Sequence, residues 1–329
     1  MPELRKDPLL GRWVIIDSER VRRPGDFHVP HPPRRAGSCP FCAGRERETP
    51  PELLAYRDKP DDGGWRVRVV PHKFPALRVE GDLERRGHGL YDLMNGIGAH
   101  EVIVESPRHE DTLGRLTIAA VEDVVRAWRD RILDLKRDHR FRAIVVFKSY
   151  RVGDGTAAVH AHSQLLATPT PSRVVNDELH HARAYHDYRE RCLFCDILHQ
   201  ETEERSRVVI DGEHVVAFAP FAARVPFETW LLPRRHLAGF EHSSAAELRD
   251  LARALRGVLR RLDRALGDPA FELTLHTAPF ADAESAYYHW HVEITPTLPL
   301  LIGADRSSGF SLNPLPPEDA ARFLRDTAD

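Results

Sequence analysis

The chain has 329 residues, enough for one large domain or two of about 150 residues each, and its 42% apolar and 29% charged residues are those of an ordinary globular protein. A net charge of -3 excludes a global basic field for holding nucleic acid. No run of about 20 apolar residues is present to span a membrane, and the opening Met1-Pro2-Glu3-Leu4-Arg5 lacks a charged-then-apolar signal pattern, so the expected compartment is the cytoplasm.

In chain order, a Pro-rich irregular stretch (residues 24–35) precedes the pair Cys39-Pro-Phe-Cys42. Residues 45–65 are rich in Pro, Gly and charge and read as loop. A strand-like run from His100 to Pro107 leads to His109. Residues 116–138 place Ala119, Val124, Val125, Trp128, Ile132 and Leu135 at helical spacing, and a strand is predicted over 141–147. His160-Ala-His162-Ser-Gln164 follows, and residues 168–172 are irregular and predicted to link two halves. Then comes Cys192-Leu-Phe-Cys195, a strand over 229–232 leading to His236, and a helix over 245–266. A strand over 271–275, the run His289-Trp-His291-Val-Glu293 and a short closing helix entered through prolines 314, 316 and 317 complete the chain.

This order is one unit written twice: Cys-x-x-Cys, strand, His, long helix, strand, His-x-His. From His109 to His160 is 51 positions, and from His236 to His289 is 53. The gap between cysteines and first histidine differs, and the extra length falls in the 45–65 region, where a loop absorbs it at little cost. The predicted domains are therefore residues 1–172 and 173–329.

Structural zinc takes four soft or borderline ligands, two of which a Cys-x-x-Cys turn supplies. The repeat nominates Cys39, Cys42, His109 and His160 for one ion and Cys192, Cys195, His236 and His289 for a second. A redox pair or buried metal-free thiols are the bland alternatives.

Along a regular strand His160, His162 and Gln164 line one face. A metal on His160 then immobilises the backbone beside His162. Moving a nucleotidyl group twice calls for a nucleophile that is also a good leaving group. A neutral imidazole attacks phosphorus without a separate base, and its N–P bond is labile. His162 is the candidate nucleophile, and Gln164 can hydrogen-bond the non-bridging oxygens as charge develops. The bland alternative is a histidine-rich core strand.

At these residues the chain resembles the galactose-1-phosphate uridylyltransferase family, a branch of the histidine triad superfamily. The likeness runs through Leu4-Arg-Lys-Asp-Pro8, Gly11-Arg-Trp-Val14, Glu19-Arg20 to Arg23-Pro24, the first cysteine pair, Phe74-Pro-Ala-Leu77, the His100–Pro107 run and His160-x-His162-x-Gln164. In the second half it covers Pro226-Phe-Glu-Thr229, Leu232-Pro233, His276-x-Ala278-Pro279-Phe280 and His289-x-His291. The resemblance implies an α+β fold of two duplicated histidine triad-like halves, each an antiparallel sheet with flanking helices, and a homodimer. It implies ping-pong transfer: His162 attacks the α-phosphate of a nucleotide sugar, releases a sugar 1-phosphate, and passes the nucleotidyl group to a second sugar 1-phosphate. Gln164 would bind the phosphate, and Arg20, Arg23, Phe74, Pro75, Ala76 and Leu77 would contact nucleotide and phosphate. Neither a redox cofactor nor magnesium is implied. For the second metal, zinc or iron, the resemblance offers a rival set, Glu178, His276, His289 and His291, sharing His289 with the cysteine set; the repeat favours zinc on the cysteines.

Several positions depart from the family pattern. His72 and Ser149 stand where asparagine is usual, Ala157 where a phosphate-contacting serine is usual with Thr156 beside it, and Ser163 where glycine is usual. The Ser163 version and the second cysteine pair lean toward a branch that includes adenylyl-transferring phosphorylases. The leading expectation is UDP-glucose–hexose-1-phosphate uridylyltransferase. The alternatives are ADP-glucose phosphorylase, a nucleotide hydrolase and a zinc-stabilised nucleotide-binding protein without turnover.

Overall fold

The computed structural model describes residues 1–17, 19, 27, 38–59, 64–151, 160–298 and 309–327. In chain order its strands and helices are β1 (Glu3–Lys6), β2 (Trp13–Ile16), β3 (Leu54–Tyr56), β4 (Val67–Pro71), β5 (Arg86–His88), β6 (Tyr91–Leu93), β7 (Ala99–Val104), α1 (Ile118–Leu135), β8 (Ala143–Tyr150) and β9 (His162–Thr168). These are followed by α2 (Arg173–Arg189), α3 (Leu193–Glu204), β10 (Val208–Asp211), β11 (Val215–Phe218), β12 (Thr229–Pro233), α4 (Ala245–Leu266), β13 (Phe271–His276), β14 (His291–Pro296), β15 (Ser311–Asn313) and α5 (Pro317–Asp326).

Ten strands form one antiparallel sheet in the order β10-β11-β12-β14-β13-β8-β9-β7-β4-β3. Read outward from its centre, the order is β8-β9-β7-β4-β3 on one side and β13-β14-β12-β11-β10 on the other. The repeat is thus a five-strand unit used twice. The two units join where β8 pairs with β13, Tyr150 opposite Phe271 and Val146 opposite Leu275, so the halves share a single sheet.

The two long helices cover one face. α4 begins with a capping box, Ser244 accepting from the Glu247 N–H while the Glu247 carboxylate accepts from the Ser244 N–H. It ends at Gly267, whose φ of 72° is the left-handed conformation that suits glycine. Between these stops Leu248, Leu251, Leu255, Leu259, Leu262 and Leu266 fall on one stripe and are buried. Each such side chain contributes about 1.5–3 kcal/mol of apolar burial. α1 packs alongside α4 and is tied to the sheet by Trp128, whose indole N–H donates to Ser163 Oγ at 2.9 Å, and by Arg131, which clamps Glu101 of β7 with two bonds of 2.7 Å. All three bonds hold β9 and β7, the strands that carry the site.

Predicted and observed elements differ at their margins. The strand expected over 141–147 runs on to Tyr150, because the chain stays paired with β13 beyond Phe147. The 45–65 region is not loop throughout: Leu54–Tyr56 adds an edge strand to β4. No described helix is long and apolar enough to cross a membrane.

Candidate active site and metal clusters

The first Cys-x-x-Cys turn closes through the Cys42 N–H on the Cys39 carbonyl at 3.3 Å. It brings both sulfurs to His160 Nδ1, 3.6 Å from Cys39 Sγ and 3.7 Å from Cys42 Sγ, and Cys42 Sγ lies 3.7 Å from His109 Nδ1. Zinc bonds of about 2.0–2.3 Å to N and S give tetrahedral edges of about 3.5 Å. The tautomer fits as well. His160 Nε2 lies 2.7 Å from the Ser106 carbonyl, which can only accept, so the proton is on Nε2 and the Nδ1 lone pair faces the sulfurs.

The second cluster repeats this design. His236 Nε2 donates to the Ser285 carbonyl at 2.9 Å, leaving Nδ1 3.5 Å from Cys195 Sγ and 3.1 Å from His289 Nε2, itself 3.3 Å from Cys195 Sγ. The Cys192 thiol first, and then the two imidazoles, pull the Cys195 thiol well below its usual range despite burial. Both sets, Cys39, Cys42, His109, His160 and Cys192, Cys195, His236, His289, could each hold a metal ion.

Glu178, His276 and His291 form a third group, while His289, the fourth member of the rival set, faces the second cysteine pair. His289 precedes β14 and turns to Cys195, while His291, the first residue of β14, turns to Glu178, and the fourth member of the third group is Glu293. Glu178 contacts His276 Nδ1 at 2.8 Å and accepts from the Tyr288 hydroxyl at 2.7 Å. Against the effect of burial, Glu178 pushes His276 up to about 9, and Arg224, 2.8 Å from Glu293, holds that carboxylate below its usual range. Two carboxylates and two imidazoles within 4.8 Å of one another suit a divalent ion.

Beside the first cluster, β9 begins at His162. His160 precedes the strand, and its ring leaves for the cysteines, while His162 and Gln164 share the half-buried face of β9. His162 Nδ1 donates to the His160 carbonyl at 2.8 Å, so Nε2 carries the free lone pair. Burial first and the Lys148 ammonium second push its pKa down, favouring the neutral ring. Phe41, from the cysteine turn, lies against it at 5.7 Å between ring centroids.

Gln164 Oε1 meets His100 Nε2 at 2.8 Å. Phe74, Pro75 and Ala76 are exposed and Leu77 is partly buried, on the loop after β4. Gly98 makes room for Leu77, since a Cβ there would stand 2.5 Å from Leu77 Cδ1. Ser149 is exposed on β8, the strand beside β9. Arg20, Arg23, Thr156 and Ala157 lie outside the described residues.

Three participants were not singled out from the sequence. Lys148 Nζ donates to Glu105 Oε2 and to the His162 carbonyl, each at 2.8 Å, with both side chains buried. Lys148 carried a signal: it is one of only five lysines in a chain with 47 Lys and Arg, on the strand leading to His162. His100 opens the quoted His100–Pro107 run, and Glu293 stands two residues past His291, but neither pattern says which way the side chain turns.

Models of the galactose-1-phosphate uridyl transferase N-terminal and C-terminal domains match residues 1–171 and 176–299. The chain belongs to that family. It is an enzyme of the nucleotidyltransferase type. Among curated relatives, the ADP-glucose phosphorylase of Arabidopsis thaliana is 34% identical over 99% of this chain and 93% of its own. The galactose-1-phosphate uridylyltransferase of Thermotoga maritima is 28% identical over 99% of both chains. The crystal structure of an ADP-glucose phosphorylase from Arabidopsis thaliana with bound ADP-glucose superposes with a TM-score of 0.84 at 32% identity, covering 99% of each chain.

Proposed function

We propose that the protein transfers the adenylyl group of ADP-glucose to inorganic phosphate through a covalent adduct on His162. The observation that carries the transfer is the His162 Nδ1 bond to the His160 carbonyl, which leaves Nε2 unprotonated on the partly buried face beside Gln164. Nε2 attacks the α-phosphorus; an N–P bond forms, the bond to the bridging oxygen breaks, and glucose 1-phosphate leaves. A phosphate oxygen then attacks the same phosphorus, the N–P bond breaks, ADP leaves, and the imidazole is neutral again. Gln164 offers amide N–H groups to the non-bridging oxygens as charge builds. Arg20, Arg23, Thr156, Ser149 and the residues from Phe74 to Leu77 are assigned to nucleotide and phosphate.

The choice of ADP-glucose is supported by the 34% identity to the phosphorylase, against 28% to the uridylyltransferase. Uridylyl transfer from UDP-glucose to a hexose 1-phosphate is the second reading, favoured by the description of the matching family models.

Zinc at Cys39, Cys42, His109 and His160 and at Cys192, Cys195, His236 and His289 supplies structural clamping when bound, the first cluster fixing the backbone next to His162. The division at residue 172, a homodimer and a cytoplasmic setting belong to the same proposal.

A donor and acceptor panel tests it. ADP-glucose with phosphate should give ADP and glucose 1-phosphate, at least tenfold faster than UDP-glucose reacts with any hexose 1-phosphate. Faster uridylyl transfer would move the assignment to the second reading, and release of free nucleoside monophosphate without an acceptor would make the protein a hydrolase.

A further inference from the structure

Two parallel imidazoles stand between the loop after β4 and the face of β9 that carries His162. The rings of His72 and His100 stack with centroids 4.1 Å apart and planes 7° from parallel. Each accepts one backbone N–H of the loop on its Nδ1: Phe74 N to His72 at 3.0 Å and Ala76 N to His100 at 3.2 Å. With Leu77 seated over Gly98, the loop is held at three points within four residues.

A ring nitrogen that accepts an N–H carries no proton. The neutral His100 ring therefore bears its proton on Nε2. Burial first, and the neighbouring His72, hold His100 to this neutral form against the opposing pull of Gln164. The atom of Gln164 facing Nε2 at 2.8 Å must then be the carbonyl oxygen, since an amide NH2 would set donor against donor. The oxygen is thereby occupied, and the amide presents its NH2 to the rest of the site. A phosphate offers only acceptors, so the reverse orientation would put oxygen against oxygen.

We propose that His100 is a positioning residue for nucleotidyl transfer, holding the Gln164 carboxamide with its NH2 turned to the phosphate and coupling that amide to the loop carrying Phe74. The proposal rests on the reading of Gln164 as a phosphate contact. It adds what fixes the polarity of that contact, and it makes His72 the stacking partner that keeps the ring in plane.

The test is the single-turnover rate of adduct formation from ADP-glucose, and in parallel from UDP-glucose, with zinc content and thermal midpoint measured for each variant. Gln164→Ala should slow the step by about 10²–10³, the usual cost of one oxyanion donor. His100→Phe keeps a stacking ring but loses both hydrogen bonds and should slow it by about 10-fold or more. His100→Gln, whose amide nitrogen reaches the place of Nε2, should recover most of that loss. Gln164→Ala with His100→Phe should be no slower than Gln164→Ala alone, because the histidine acts through the amide. Independent, multiplying effects in the double variant would overturn the proposal, as would His100→Gln being as slow as His100→Phe. If Gln164→Ala forms the adduct at the wild-type rate, the phosphate reading of Gln164 has failed, and the positioning role falls with it.

Discussion

His162 donates its Nδ1–H to the carbonyl of His160 at 2.8 Å, and His291 repeats the bond to the carbonyl of His289 at 3.2 Å. In both halves the earlier histidine turns its ring to a cysteine pair and the later one is locked by its backbone. What differs is access. His291 is fully buried against Glu178, whereas His162 is only partly buried. The same backbone device therefore fixes a partly exposed imidazole in one half and a buried one in the other.

Replacing His162 with alanine should lower nucleotidyl transfer by on the order of 10⁴ or more, as loss of a covalent nucleophile does. Zinc content, measured by atomic absorption, should stay at the wild-type value, since His162 is not a member of the Cys39, Cys42, His109 and His160 group. Zinc lost along with activity would place His162 in the metal site.

Cys39→Ser should remove one zinc equivalent and several kcal/mol of stability together, because ligand binding and folding are coupled in such a site. Cys192→Ser should remove the other equivalent. Full zinc occupancy in Cys39→Ser would show the first ligand set to be wrong.

The Lys148–Glu105 pair is a buried charge pair beside His162. Lys148→Met should cost about 3–5 kcal/mol in urea unfolding, because it strands the Glu105 charge. Adding Glu105→Leu should recover much of that stability, while transfer stays slow because the His162 carbonyl has still lost its donor. Unchanged stability in Lys148→Met would contradict the burial of the pair.

Glu247 gives a signed pH effect. Burial alone would raise its pKa; the Arg235 ion pair and the Ser244 N–H outweigh it and hold the carboxyl at about 2. A depressed carboxylate contributes stability that is present above its unfolded value of about 4.5 and is lost as pH falls toward 2. Glu247→Gln should therefore cost about 1 kcal/mol at pH 7, typical of a helix cap, with the gap to wild type closing between pH 4.5 and 2. A gap independent of pH would assign the loss to packing.

The repeat was legible because paired cysteines with spaced histidines and long amphipathic helices leave strong marks. Two Cys-x-x-Cys pairs with histidines at matched distances pointed to both clusters, and the helical stretch expected at about 245–266 is α4. Side-chain direction was not legible. Nothing in His289-Trp-His291 says that one ring turns to Cys195 and the other to Glu178, since this depends on where β14 sits relative to α2 and α3. Those two helices were not anticipated: α2 buries only Val175, Glu178 and Ala182, too few for a clear apolar stripe. The fusion of both halves into one sheet depends on β8 meeting β13, a pairing between residues more than a hundred positions apart that no local pattern encodes.

The most direct test is intact-mass analysis of the protein after brief exposure to ADP-glucose or UDP-glucose without acceptor, followed by peptide mapping. The account predicts an acid-labile gain of one nucleoside monophosphate on the peptide containing His162, discharged when phosphate or a sugar 1-phosphate is added. Product formation with no such adduct, or an adduct on another residue, would contradict it.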